Sequence, residues 1–222
     1  IVLADADLDE AVKAAMVGRF QNSGQICVAA KRIIVEEAVL PAFTEKFVAA
    51  VKALKVGDPL VDANYVGPMA RYDLRDELDG QVQATLSEGA TLLLGGHKLE
   101  GEGNYYAPTI LADVRPGMTS FKEELFGPVA SLIVAQDAEH AVELANDSEF
   151  GLTASVWTND EAAAIRIGDQ VNTGTWFMNR CDYLDPALAW TGVKNSGRGC
   201  TLSSVGYESL TRPKSYHLRT KI

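Results

Sequence analysis

Residues 20–30, Phe-Gln-Asn-Ser-Gly-Gln-Ile-Cys-Val-Ala-Ala, place one thiol, Cys27, just past a predicted helix. Glycine and amide side chains lie on one side of it and small residues on the other. A thiol does chemistry as its thiolate, and it needs an approach path and neighbours that tolerate a charged tetrahedral adduct. Ala29 and Ala30 leave room for an electrophile, Gly24 permits a sharp turn, and the amides of Asn22 and Gln25 can orient nearby groups. A thiol of ordinary pKa, ~8.5, is mostly protonated at neutral pH, so its setting must assist it. No histidine neighbours Cys27 in sequence, so that help comes from elsewhere in the fold or from a cofactor. On spacing alone, a small core residue is the commoner state for a cysteine among apolar residues.

The order of residues adds to that reading. Phe20, Gly24, Gln25, Cys27 and Ala29 form Phe-x-x-x-Gly-Gln-x-Cys-x-Ala. About a hundred residues on, Lys122 to Val129 read Lys-Glu-Glu-Leu-Phe-Gly-Pro-Val, and residues 192–197 read Gly-Val-Lys-Asn-Ser-Gly. Together, in this order, the three segments resemble the cysteine signature, the Glu-x-Phe-Gly-Pro segment and the late Gly-x-Lys-x-Ser-Gly of the NAD(P)-dependent aldehyde dehydrogenase superfamily. The resemblance covers nearly the whole chain but only part of the family's polypeptide. Residues 67–74 and 145–152 look most like bacterial succinate-semialdehyde dehydrogenases, a likeness of scaffold rather than of pocket.

The resemblance implies roles. Cys27 would attack an aldehyde as a thiolate, pass hydride to a nicotinamide cofactor and leave a thioester for water to hydrolyse. Its own backbone N–H would help to hold the oxyanion, a contribution of about 3 kcal/mol per donor. Glu124 would accept from the ribose hydroxyls on the nicotinamide side, and Phe126 would lie near that ribose and ring. Without the resemblance, Glu123-Glu124 reads as a solvated loop and Phe126 as core. Asn179 and Lys194 would position loops at the substrate mouth. The chain holds no Gly-x-Gly-x-x-Gly. The family's dinucleotide-binding domain, oxyanion asparagine and general-base glutamate would align ahead of Ile1. The chain therefore corresponds to the catalytic domain and is expected to turn over little by itself, with NAD or NADP bound mainly elsewhere. Two departures put substrate choice in doubt. Ala189-Trp190-Thr191-Gly192 stands where the family usually has Pro-Phe-Gly-Gly, and Cys200-Thr201-Leu202 follows Gly199 where an Arg-Glu pair is common.

Composition narrows the classes. Thirty acidic against twenty basic residues give a formal charge of −10, which argues against nucleic acid or an anionic membrane as the main partner. No apolar run approaches the roughly 20 residues of a membrane span, and no signal-peptide pattern opens the chain. Three cysteines without CxxC spacing and three scattered histidines disfavour a disulfide scaffold and a metal site. A reducing, cytoplasmic compartment is expected.

The elements that must position these residues follow from periodicity. Asp7-Leu8-Asp9-Glu10 has the form of a capping box, and Leu8, Val12, Ala15, Met16 and Phe20 predict a helix leading to the Cys27 loop. Further helices are expected through Phe43 to Leu54, ending near Gly57, and Leu74 to Leu86, closed by Gly89, with others at 139–145 and 162–167. Strands are expected at 32–35, 91–94, 107–111, 129–134, 154–157 and 175–178. This alternation predicts an α/β fold with a parallel, Rossmann-like sheet covered by helices on both faces, of the aldehyde dehydrogenase catalytic-domain type. The site is expected at the carboxyl ends of strands, in loops such as those of Glu124 and Asn179. Residues 1–212 read as one catalytic domain whose opening Ile-Val-Leu looks like the tail of a strand already under way, as in a segment of a longer protein. Residues 215–222 alternate polar and apolar, so 213–222 read as a C-terminal strand through which the family forms homo-oligomers, or else as a frayed tail. The alternatives to an enzyme are a non-catalytic scaffold or assembly module, and a thiol-dependent acyl transferase or esterase.

Overall fold

The protein, in a computed structural model, is described over residues 1–181 and 183–221. Helix α1 (Leu8–Phe20) begins where an Asp7 carboxylate oxygen accepts from the N–H groups of Asp9 (3.0 Å) and Glu10 (3.2 Å). That satisfies donors the first turn would otherwise leave open. A 3-10 turn (Gln21–Gly24) follows, in which Asn22 and Ser23 take left-handed backbone angles (φ 51° and 56°). Strand β1 (Arg32–Glu36) and helix α2 (Leu40–Lys52) come next, α2 burying Phe43, Phe47 and Val51 on one stripe. Leu54 falls outside α2, which stops at Lys52 rather than near Gly57. Helix α3 (Tyr72–Ser87) buries Leu78 and Val82 and is followed by Gly89 at φ +103°.

Then come β2 (Thr91–Leu94), β3 (Thr109–Ala112), the short α4 (Thr119–Lys122) and β4 (Val129–Ala135). Helix α5 (Ala138–Asn146) precedes β5 (Phe150–Gly151) and β6 (Thr153–Val156), and α6 (Glu161–Gly168) precedes β7 (Thr175–Met178). Asp137 and Asp160 cap α5 and α6 as Asp7 caps α1. The last part of the chain holds the two-residue strands β8 (Trp190–Thr191), β9 (Val193–Lys194) and β10 (Cys200–Thr201), then α7 (Ser203–Leu210).

Four strands form a sheet in the order β1-β4-β3-β2. The pairs β1–β4 and β3–β4 are parallel, as expected, but β2 runs antiparallel to β3. Residues 95–108 join them without a helix, and a parallel pair needs a crossover that this connection lacks. The sheet is therefore mixed. A parallel β6–β7 pair lies beyond β1, and Val2 bridges to Val35 on one side and to Trp157 on the other. Val2 N–H donates to Ile34 O (2.8 Å), Glu36 N–H to Val2 O (2.9 Å), Trp157 N–H to Ile1 O (2.9 Å) and Leu3 N–H to Trp157 O (3.0 Å), so Ile1, Val2 and Leu3 splice the two sheets.

Strand alternation sorts the core. Ile33, Val35, Ala130 and Leu132 face a cluster with Phe20 of α1 and Phe43 and Phe47 of α2. Ile34, Val129 and Ile133 face Leu78, Val82, Phe121 and Leu144 on the other side. Helices thus cover both faces. Residues 211–221 form no strand with this chain and are exposed, so the expected tail strand is not formed here; its last residue, Ile222, lies outside the described residues. No helix among the described residues is long and apolar enough to cross a membrane.

The β1–β4 layer should dominate stability. Leu132→Ala, at a site 1% exposed, is expected to lower the unfolding free energy by about 2–5 kcal/mol in urea titrations. Leu92→Ala, at a β2 site 42% exposed, should cost less than ~1 kcal/mol.

Candidate active site

Cys27 sits at the second position of a tight turn closed by Ala29 N–H donating to Ile26 O (3.0 Å). Such a turn projects its central side chains away from the body, and Cys27 is exposed whereas Cys181 and Cys200 are partly covered. The core-filler reading does not describe this thiol. The loop is fixed from beneath. Ser23 Oγ donates to Gly67 O (2.9 Å), and Gln25 Oε1 accepts from Ala70 N–H (2.8 Å). The Gln25 amide thus holds the Gly67–Ala70 loop, and Asn22 Nδ2 donates to Gln25 O (3.2 Å) within the turn.

The Glu123–Gly127 segment lies against this loop. Gly24 has φ +69°, and a Cβ there would fall 2.3 Å from Gly127 O, so glycine is required by both conformation and space. Arg19, at the end of α1 and 1% exposed, crosses between the two segments. Its guanidinium donates to Ala29 O (3.1 Å) on the cysteine side and to Leu125 O (2.5 Å) and Gly127 O on the other. Lys31 Nζ donates to Phe121 O (3.3 Å) and to Glu123 O. From α3, Gln81 Nε2 reaches the Glu123 carboxylate (2.9 Å) and Glu124 O (3.4 Å). The Glu124 carboxylate itself accepts no hydrogen bond from the described residues, and Phe126 is 42% exposed.

Cys27, Glu124 and Phe126 all line one cleft of about 400 Å³, together with Ile26, Val28, Lys31, Phe150, Phe177, Cys181 and Asn195. Part of it separates the amino halves of β1 and β6, and Ile1, Arg32, Thr153 and Ser155 form its walls there. Burial, reinforced by the neighbouring Arg32 and Arg19 cations, lowers Lys31 to a pKa of about 7 against the opposing pull of Glu124 and Glu123. Burial likewise pulls Arg32 down, with Asp147 opposing it. Arg32 donates to Leu144 O (2.8 Å) and Ala145 O (3.0 Å), joining β1 to the last turn of α5.

The cleft lies at the amino ends of the parallel strands, not at the carboxyl ends as expected. Cys27 precedes β1, Glu124 and Phe126 precede β4, and Thr173 precedes β7. A residue a few positions ahead of a strand cannot reach that strand's far end. Asn179, after β7, does lie at the opposite end, where Nδ2 donates to Thr158 O (2.8 Å) and Oδ1 accepts from Thr158 N–H (3.1 Å). It fastens the exits of β6 and β7. Lys194 Nζ donates to Asn146 O (2.9 Å) and Ser148 O (3.0 Å), tying β9 to the loop after α5. The departing segments pair with each other, β8 against β10, and Thr191 Oγ1 donates to Gly199 O (2.7 Å). Sequence reading missed Arg19 and Lys31. The one available signal was a charge on either side of an otherwise uncharged eleven-residue stretch, from Phe20 to Ala30, that holds the cysteine.

Residues 1–216 match the aldehyde dehydrogenase family. The chain belongs to that family. Over 206 residues it is 58% identical to the succinate semialdehyde dehydrogenase [NAD(P)+] Sad of Escherichia coli (strain K12), covering 93% of this chain and 45% of that protein. It is 46% identical over 215 residues to the succinate-semialdehyde dehydrogenase [NADP(+)] of Mycolicibacterium paratuberculosis, covering 97% of this chain and 46% of that one. The solved structure of an NAD-dependent aldehyde dehydrogenase from Sinorhizobium meliloti superposes with a TM-score of 0.91 at 35% identity, over 98% of this chain and 45% of that one. The chain spans about half the length of the curated relatives it matches. In this aldehyde dehydrogenase domain, then, the cysteine loop and the Glu-Leu-Phe-Gly-Pro segment are held as one unit.

That unit can be tested by crowding it. Gly24→Ala is expected to destabilise the folded chain by about 2–5 kcal/mol, through left-handed strain plus a clash with Gly127. Gly117→Ala, at φ +96° with nothing within 4 Å, should cost only about 1–2 kcal/mol. Equal losses in denaturant titrations would count against the packing of Gly24 on Gly127.

Proposed function

We propose that this chain is the cysteine-bearing catalytic part of an NAD(P)-dependent aldehyde dehydrogenase that oxidises an aldehyde to the acid, with succinate semialdehyde as the first substrate to try. The observation that carries the reading is that Cys27, Glu124 and Phe126 open onto one cleft. Cys27 in its thiolate form would add to the aldehyde carbon, forming the C–S bond and moving the carbonyl π pair to oxygen. The oxyanion would be met by backbone N–H donors. A nicotinamide cofactor, when bound, supplies the hydride acceptor. Loss of hydride from the adduct carbon leaves a thioester on Cys27, and water cleaves its C–S bond to release the acid and return the thiol. The family relationship supports the cofactor class, because relatives are named for NAD(P)+ and NADP(+).

The residues present fit that group. An unengaged carboxylate at Glu124 suits two neighbouring hydroxyl donors. The half-exposed Phe126 ring suits the face of a heterocycle. Glu124 would orient the ribose, Phe126 would limit where the ring lies, and the turn at Ile26–Ala29 would hold Cys27 in line. The exposed tail, with Tyr216 and Leu218 uncovered, is proposed to pair with a further copy of the chain.

Thiol reactivity tests the reading. Each cysteine's iodoacetamide rate in the folded chain is divided by its rate in urea, which removes differences of local sequence, and a ratio above one marks activation because cover can only lower it. Cys27 is expected to exceed Cys181 and Cys200 by about tenfold or more. Three similar ratios would favour the non-catalytic scaffold. Residues 1–222 incubated with succinate semialdehyde and either NAD+ or NADP+ should show little or no reduced cofactor at 340 nm. Robust turnover by this chain would mean that it carries the whole reaction.

A further inference from the structure

Alternate carbonyls of the segment bearing Glu124 and Phe126 are gripped by two cations from different elements. Lys31, just ahead of β1, donates to Phe121 O and Glu123 O, and Arg19, from α1, donates to Leu125 O and Gly127 O. The even residues between them behave oppositely. Glu124 and Phe126 are exposed and Leu125 is buried, while the Glu124 carbonyl turns toward Gln81 of α3. Glu123 leaves the helical region (φ −79°, ψ 155°), so α4 ends there and the chain runs extended into the segment.

We propose that Lys31 and Arg19 are positioning residues that together clamp the odd-numbered carbonyls of residues 121–127, which drives Leu125 inward and turns Glu124 and Phe126 into the Cys27 cleft. This rests on the reading that Glu124 and Phe126 serve a bound ligand there. Both cations flank the cysteine loop, so the same pair fixes the distance between nucleophile and ligand-facing side chains. Each grips backbone, leaving the Glu124 and Phe126 side chains outside the clamp. The charged groups facing Lys31 are Arg19 from α1, Arg32 on its own strand, and Glu123 and Glu124 on the segment.

The clamp has a pH signature. Held in place, Lys31 gives up its proton near pH 7, whereas a solvated lysine keeps it to about 10.5. Lifting the segment off Lys31 therefore takes up a proton between those values, and lifting becomes harder as pH rises, by up to about tenfold per pH unit. A glutamate-specific endoprotease reads this directly. It cuts after Glu123 or Glu124 only when the segment lifts, and Glu102, in the exposed Gly101–Gly103 loop, is the internal reference. Fragments are assigned by mass. In the wild-type chain the ratio of cutting at 123/124 to cutting at 102 should fall steeply from about pH 7 to pH 9.

Lys31→Arg, charged throughout, and Lys31→Met, never charged, should both give flat profiles. At pH 8, Lys31→Met should raise the ratio about tenfold, through loss of the donor to two carbonyls, whereas Lys31→Arg, which cannot shed its charge, should match wild type near pH 6 and lift more readily than wild type at pH 8. Arg19→Lys is expected to raise it as well. Should that variant fail to fold, the Lys31 pair decides. A wild-type ratio that does not change with pH, or a Lys31→Met ratio equal to wild type at pH 8, overturns the clamp. The readout needs no cofactor and no turnover, so such a result sinks the clamp alone, whereas an unactivated Cys27 sinks the enzymatic reading alone.

Discussion

The parallel pairing of β1 with β4 in one register is the constraint on which the site depends. Arg32 lies opposite Ser131, and Cys27 and Phe126 each sit five residues ahead of that pair. Two loops entering adjacent parallel strands at the same level must lie side by side. A slip of one residue would turn Ile33, Val35 and Leu132 off their shared face, against the α1–α2 cluster. A slip of two would keep the faces but shift the loops by roughly 7 Å relative to each other. The core therefore enforces the register, and the register sets the distance between Cys27 and Glu124 across the cleft. Specific contacts such as Arg19 and Gly24 refine a placement that hydrophobic burial has already made.

The splice at Val2 is the second constraint. Without it, β6–β7 would be an isolated two-stranded unit, which is marginal by itself. With it, Val156 and Trp157 are anchored beside Val35, and the amino halves of β1 and β6 stand apart across the cleft.

Much of this was legible in the sequence, and the reasons differ by element. Phe43, Phe47 and Val51 recur at helical spacing because one face of α2 is buried, so periodicity reports α2 directly. Asp7 announced α1 because a carboxylate before a helix has one dominant use. The direction of β2 was not legible, since Thr-Leu-Leu-Leu has no polarity and the deciding feature was the helix-free connection of residues 95–108. The end of the sheet at which the cleft lies was misjudged for a different reason. The carboxyl-end rule describes ligands met by helices that follow strands, but here the chemistry precedes its strands. Residues of the three signature segments, Cys27, Glu124 and Asn195 among them, line one cleft, and it was their order that resembled a family; spacing did not locate them. Arg19 and Lys31 were missed because a single basic residue looks the same in sequence whether solvated or buried, and only its carbonyl partners, about a hundred residues away, tell the two apart.

Those partners explain why cations, rather than packing alone, hold the segment. An apolar grip can act only on side chains, and in an extended segment that would consume the residues meant for a ligand. A grip on carbonyls acts on conformation, whatever the side chains are. For Lys31 it supplies no counter-charge, since a carbonyl is neutral, so burial is opposed only by the carboxylates of Glu124 and Glu123. That is why Lys31 falls so far below the ordinary lysine range while Glu124 and Glu123 stand nearby. In a chain of formal charge −10, Arg19, Lys31 and Arg32 are gathered around one thiol, and each reaches main-chain carbonyls. That arrangement leaves the Glu124 carboxylate and the Phe126 ring exposed on the wall of the cleft.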